Sequence, residues 1–161
     1  MKIIDTNRLQ LRPIGLDDAA FIMNLINCPG FIRFIGDRNV RTIDQAITYL
    51  ENMLANPDIT YWAIQTKDNQ VPVGVVTWVK RDFLPSPDVG YALLPEFEGN
   101  GYAFEASQAW LSYHLQANKS VLAICQVDNL ASIKLLLKLN FKLEEIFEKD
   151  EHSMHRYKLY S

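Results

Sequence analysis

Cysteine is scarce: Cys28 and Cys125 are the only two in 161 residues, far apart, with no metal-ligand spacing around either. No metal is therefore expected, and a reduced, cytoplasmic compartment is the simplest reading. An excess of basic charge is missing as well. Lys and Arg number 16 against 19 Asp and Glu, a net charge of −3 with the cations scattered, so the chain lacks a nucleic-acid footprint. No stretch approaches the ~20 apolar residues of a membrane span. Met1 to Leu9 lacks the apolar core of a signal peptide, so no membrane partner is expected. Repeats, low-complexity tracts and linkers are absent too. What is present, 48% apolar and 22% charged residues, is the composition of one globular domain spanning 1–161.

One stretch organises the rest. Val89 to Leu94 is apolar with β character and meets a breaker at Pro95; a turn with Gly99 and Gly101 follows. Tyr102, Ala103, Ala106, Trp110 and Tyr113 then fall on one face of a helix. Strand, glycine turn and helix start make an anion site, because glycines admit close backbone approach and first-turn N–H groups lack partners. A pyrophosphate is the expected occupant; a tight connection that binds nothing is the bland alternative. Two familiar phosphate loops are excluded. No Lys-Ser/Thr pair follows Gly101, and the third glycine of a dinucleotide fingerprint would fall at Phe104. Asp128, the later acidic residue, reads as a helix cap.

A second segment raises the case. From Asn129 to Phe141 the chain runs Asn-x-x-Ser, an apolar helix, Lys-Leu, a capping residue at Asn140, then Phe. Together with Asp88 to Ala106, which carries Asp-Val-Gly-Tyr and Gly-x-Gly-Tyr-Ala-x-Glu-Ala, this resembles the GNAT superfamily of acetyl-CoA-dependent N-acetyltransferases. The likeness is greatest to its branch of ribosomal-protein alanine N-acetyltransferases, the RimJ/RimL type. Asn140 stands where that branch has glycine, and Asn tolerates the left-handed conformation needed there.

The remaining elements follow in order. Arg8 to Arg12 alternates as a strand ended by Pro13, and Leu16 to Asn27 reads as a helix with Ala19, Ile22, Met23 and Ile26 inward. The glycine-broken, aromatic stretch 28–41 reads as a loop and a candidate lid. Phe34, with Phe31, is placed against the substrate there; packing of the first two helices is the alternative. Thr42 and Gln45 fit a capping box opening a helix with Ile43, Ala46, Ile47, Leu50 and Leu54 inward. Ile59 to Thr66 and Val71 to Lys80 form a hairpin, Ser120 to Gln126 a strand buried on both faces, and Lys142 to Glu148 with Ser153 to Tyr160 a closing pair. The order β-α-α-β-β-β-α-β-α-β-β predicts an α/β fold, and only the 88–126 unit demands a parallel pair. The resemblance implies a GNAT-like fold: a central mixed, mostly antiparallel sheet flanked by helices, with that parallel pair splayed around acetyl-CoA.

The resemblance also implies the chemistry. An amine attacks a thioester carbonyl and a thiolate leaves, which requires positioning, removal of a proton, and stabilisation of oxyanion and sulfur. Backbone groups from Glu98 and Gly99 through Asn100, Gly101, Tyr102 and Ala103 are expected on the pyrophosphate, and those near Leu93 on the pantetheine arm. Asn129 contacts the same arm in the family; the bland alternatives are a helix cap for Asn129 and a core position for Tyr102. Many family members carry a tyrosine where this chain has Leu136, so Ser132, which matches a serine of the branch, is the candidate general acid; otherwise it is a capping residue. Asp88 is the candidate base, directly or through water, with a solvated aspartate after Pro87 as the alternative. His152 and His155 are weaker bases, Glu105 reads as structural, and Cys125 as an inert buried thiol. Lys134, Lys138 and Lys142 read as a solvated face, with the 3′-phosphate of CoA as an alternative partner.

The expected function is transfer of acetyl from acetyl-CoA to a primary amine, a protein or peptide N-terminus or a small molecule, by a monomer or homodimer. A lysine amine costs ~3.5 kcal/mol more to deprotonate at pH 7 than an N-terminal amine, which tilts the choice toward α-amines. The −3 charge keeps polyamines open. A non-catalytic acyl-CoA sensor of the same fold is the alternative from another class.

Overall fold

The computed structural model describes residues 2–161. Its sheet has eight strands: β1 (Ile4–Asp5), β2 (Leu9–Pro13), β3 (Ile59–Thr66), β4 (Pro72–Val79), β5 (Asp88–Leu93), β6 (Ser120–Gln126), β7 (Lys142–Lys149) and β8 (His152–Tyr160). They lie in the order β1-β2-β3-β4-β5-β6-β8-β7. All neighbours are antiparallel except β5 and β6, as the crossover through a helix requires. Among the described residues five α-helices flank the sheet: α1 (Ala19–Ile26), α2 (Pro29–Phe34), α3 (Ile43–Ala55), α4 (Tyr102–His114) and α5 (Leu130–Lys138). Among the described residues no helix is long and apolar enough to cross a membrane.

Two cores sit on opposite sheet faces. Leu9, Trp62, Val76, Val89, Trp110, Val121, Ala123 and Tyr157 pack with α4 and α5 on one side. On the other, Val75, with Ile59, Tyr61 and Ala92 at its margin, packs with Ile22, Leu25, Phe31, Ala46 and Leu50 of α1–α3. Strand alternation divides β5 accordingly: Val89, Tyr91 and Leu93 face α4 and α5, whereas Asp88, Gly90 and Ala92 face α1–α3.

Several local expectations change. The stretch 28–41 is not all loop: Pro29 at the first helical position nucleates α2, which buries Phe31. The first helix begins as a 3-10 turn at Leu16–Asp18, because the Asp18 carboxylate accepts from the Gly15 N–H and pairs with Arg12 at 2.8 Å. In α3 Met53 is buried and Leu54 exposed, as Ile43 is, so the inward face is rotated. Thr42 caps Gln45 as expected, but the returning Gln45 Oε1 accepts from the Arg41 N–H, one residue before the cap. In α4 Leu111 is buried in place of Tyr113.

The α4 core is aromatic. The Trp110 ring stacks on His114 at 3.7 Å and meets Trp62 and Trp78 at 5.5 and 5.2 Å. Burial lowers the His114 pKa, partly opposed by its Nδ1 contact with the Trp110 carbonyl at 2.9 Å. A native pKa below the unfolded value makes the unfolded chain the better proton acceptor. The stability this gives is present above the unfolded histidine pKa and is lost as pH falls through the native one. Between pH 7 and 5 the melting temperature of the wild type is therefore expected to fall more steeply than that of His114→Phe; parallel slopes in calorimetry would contradict it.

Candidate functional site

Between β5 and β6 the ladder has a single bridge, Asp88 opposite Leu122, whereas β4 and β5 share six partner pairs and β6 and β8 seven. Past Asp88 the two strands therefore part, and a gap opens toward their C-terminal ends. The Leu94 N–H donates to Val73 O, which fixes the alternation: backbone groups of residues 90 and 92 serve β4, and those of Tyr91 and Leu93 face the gap. These are free strand-edge donors and acceptors, and Leu93 is among the residues expected there.

The glycine turn stands at the mouth of the gap. Pro95–Phe97 forms a short 3-10 turn, and both Gly99 and Gly101 have φ of +78°, a left-handed conformation that side chains rarely adopt. A Cβ on Gly99 would meet nothing within 4 Å, so the turn is open to solvent on that side. Gly101 is the N-cap of α4 and, being glycine, leaves the first-turn N–H groups of Tyr102 and Ala103 without a side-chain partner. Asn100 braces the turn through Nδ2 to the carbonyls of Phe97 and Glu98, at 3.2 and 3.4 Å. Glu98 contributes its backbone and a negative charge rather than a cation. This cradle of unpaired donors at a helix start fits a diphosphate.

The helix across the gap is fixed by its ends. The Asn129 Oδ1 accepts from the Ser132 N–H at 3.3 Å, so Asn129 caps α5, and Asp128, expected as a cap, instead meets Arg33 at 3.4 Å. At the far end Asn140, φ +69°, completes a Schellman motif, with Phe141 N to Leu136 O and Asn140 N to Leu137 O both at 3.0 Å. This docks Leu136 and Phe141 in the core. Leu136 is thus a core side chain with no polar atom to offer.

A hydroxyl pair bridges the gap. Tyr91, on β5, donates to Ser132 Oγ at 3.0 Å from the α5 first turn. Burial raises the Tyr91 pKa, so the phenol keeps its proton at neutral pH. Sequence reasoning passed over Tyr91; its place two residues past Val89 on the α5-facing side of β5 was the available signal. Cys125 lies on the same side, with burial pushing its thiol up to about 11, and His155 Nδ1 meets Tyr157 OH at 3.1 Å. His152 sits exposed at the β7–β8 turn.

Asp88 is on the other face. Only 2% exposed, it pairs with Arg81 Nε at 2.6 Å, so the solvated alternative is overturned. Burial raises its pKa, and the Arg81 charge acts in the opposite direction. Phe34 ends α2 on this same face. Its carbonyl and that of Arg33 accept from Gln126 Nε2, at 3.4 and 3.3 Å, which anchors α2 to the end of β6 beside the gap. The two proposed proton-handling groups therefore flank the gap, Asp88 on the α1–α3 side and Ser132 on the α4–α5 side. Glu105 is structural: its carboxylate accepts from Thr6 Oγ1, the Arg8 N–H and Arg8 Nε at 2.6–2.8 Å.

Residues 8–142 match the family model described as the acetyltransferase (GNAT) domain. A curated relative, the uncharacterized N-acetyltransferase YjdG of Bacillus subtilis (strain 168), is 31% identical over 159 residues, covering 89% of this chain and 91% of its own length. Among solved structures, an acetyltransferase that modifies the N-terminal serine of ribosomal protein L7/L12 from Salmonella typhimurium aligns with a TM-score of 0.84 at 17% identity, covering 99% of each chain. The microcin C7 self-immunity acetyltransferase MccE, solved with acetyl-CoA and AMP, aligns with a TM-score of 0.82 at 22% identity, covering 96% of this chain and 93% of MccE.

Proposed function

The chain belongs to the GNAT acetyltransferase family, and from that premise we propose that it transfers the acetyl group of acetyl-CoA directly to a protein or peptide N-terminal α-amine or a small-molecule amine. The single observation that carries this reading is the gap between β5 and β6 with an uncapped glycine turn at its mouth. Backbone N–H groups from Gly99 to Ala103 hold the diphosphate, and the free strand edge at Tyr91 and Leu93 orders the arm behind it. Asn129, its Oδ1 committed to the helix cap, has its Nδ2 left for the same arm. Acetyl-CoA, when bound, supplies the activated carbonyl.

Asp88 takes the proton of the incoming ammonium, directly or through water, on the face where Phe34 walls the acceptor side. Ser132 gives its hydroxyl proton toward the departing sulfur and takes one back from Tyr91, 3.0 Å away; the second proton that the attacking nitrogen sheds as the amide forms returns to the phenol through water, so both hydroxyls end protonated. Leu136 denies the gap the usual tyrosine, and Tyr91 brings a phenol to it from the facing strand. Cys125 takes no part, since its raised pKa keeps it a thiol. An α-amine suits a site with one carboxylate base better than a lysine does, by the pKa difference between the two amines. One domain, 1–161, holds every residue of this scheme, and a cytoplasmic setting fits its two unpaired cysteines.

The test is release of free thiol from acetyl-CoA with an acceptor panel: peptides with free Ala, Ser or Met N-termini, an N-blocked lysine peptide, spermidine and an aminoglycoside. Turnover is expected on the N-terminal peptides and not on the blocked lysine peptide. Turnover confined to spermidine or the aminoglycoside selects the small-amine half of the reading. Tight acetyl-CoA binding with no turnover on any acceptor favours a non-catalytic sensor.

A further inference from the structure

Glu105 poses an electrostatic problem for the site as read above. It lies in the first turn of the helix whose start is to hold a diphosphate, and a carboxylate there repels that ligand. Glu96 and Glu98 add negative charge to the same turn. The N-terminal segment answers the nearest of these charges. Thr6 Oγ1 and the Arg8 N–H both donate to Glu105 Oε1, at 2.6 and 2.8 Å, and Arg8 Nε donates to Oε2 at 2.7 Å. These contacts hold the Glu105 pKa low despite burial, which acts the other way, so the carboxylate is ionised and fully partnered. The Arg8 guanidinium also lies over the Tyr102 ring at 4.7 Å, and its Nη2 is 3.5 Å from where a Cβ on Gly101 would stand. Arg8 thus covers the Tyr102 ring and lies beside Gly101, at the turn-to-helix junction.

We propose that Arg8 is a positioning residue for the diphosphate of the acetyl donor: it cancels the Glu105 charge beneath the glycine turn and braces Gly101 and Tyr102 in their anion-accepting conformation. The inference rests on the CoA reading of that turn. A tie made only for stability would leave ligand preference unchanged, because it would act on every ligand alike. A charge-cancelling role acts on the phosphate-bearing part alone and weakens with salt, since exposed charges are screened over about 10 Å at 0.1 M.

The test measures the affinities of CoA and of pantetheine, which lacks phosphate, for wild type, Arg8→Gln, Glu105→Gln and the double variant at low and high salt. Arg8→Gln is expected to weaken CoA about tenfold at low salt with little change for pantetheine, and less at high salt. The double variant, with neither charge, is expected to recover most of the loss. Because the CoA-to-pantetheine ratio is taken within each variant, partial unfolding does not imitate the effect. Equal weakening of both ligands, no weakening, or failure of the double variant to recover CoA affinity overturns the proposal. Absence of CoA binding by the wild type instead overturns the functional reading beneath it.

Discussion

Gly101→Trp is expected to reduce CoA affinity by at least 100-fold, measured by calorimetry, while leaving the chain folded. Two effects combine. At φ +78° any L side chain is strained, by roughly 1–2 kcal/mol, so the turn itself shifts. Among the described residues, chain neighbours aside, the new Cβ would meet Arg8 Nη2 alone, at 3.5 Å, an ordinary contact, so the indole meets no buried wall and need not disrupt the core. It projects at the helix start, over the N–H groups that would otherwise meet the diphosphate. Gly101→Ala separates the two contributions: it carries the backbone strain without the bulk and is expected to lose less than tenfold. A Gly101→Trp protein that melts normally and binds CoA as the wild type does would remove the glycine turn from the site.

The candidate site is legible in the sequence where it depends on backbone conformation, because the residues that permit unusual conformations are few. Gly99, Gly101 and Asn140 were assigned to turns or caps from identity alone, and all three have positive φ. Hydrophobic period located every strand from β2 onward and most of the helices. The misses have physical causes. The two residues of β1 gain their strand geometry only by pairing with Leu11 and Gln10, a tertiary contact without a local pattern. The six residues of α2 are too short to show a period and include a glycine, so the helix depends on Pro29 and on the docking of Phe31. The inward faces of α3 and α4 were rotated because several apolar residues compete for one stripe, and the sheet decides which are taken.

Relations between distant residues were not legible at all. Asp88 and Ser132 stand in separate motifs, and nothing in their spacing reveals that they flank opposite faces of β5. Tyr91 was treated as part of a strand motif, although its hydroxyl meets Ser132 from 41 residues away. Arg81 had no sequence signal connecting it to Asp88, and yet its charge helps set the ionisation of that carboxylate. Leu136 leaves the family's tyrosine position without a hydroxyl, and nothing in the sequence shows that the Tyr91 phenol meets Ser132 from the facing strand.

Asp88→Asn is expected to lower kcat about 100-fold or more, the range for loss of a general base, with acetyl-CoA affinity unchanged because Asp88 lies at the closed end of the gap, away from the glycine turn. The pH profile tests the assignment more sharply than the rate. A base must be deprotonated to act, so wild-type activity is lost as pH falls through the native Asp88 pKa, which burial has raised. Asp88→Asn is expected to abolish that acid limb and leave only the one belonging to the acceptor ammonium. Arg81→Gln removes the opposing cation 2.6 Å away and is expected to move the limb to higher pH. Ser132→Ala is expected to cost less, about tenfold, since a thiol of pKa near 8.5 leaves without full protonation, and it leaves the acid limb in place. As the two groups share no partner and act on opposite faces, the losses of a double variant are expected to multiply. An acid limb that survives Asp88→Asn unchanged would transfer the role of base to another group or to the acceptor itself.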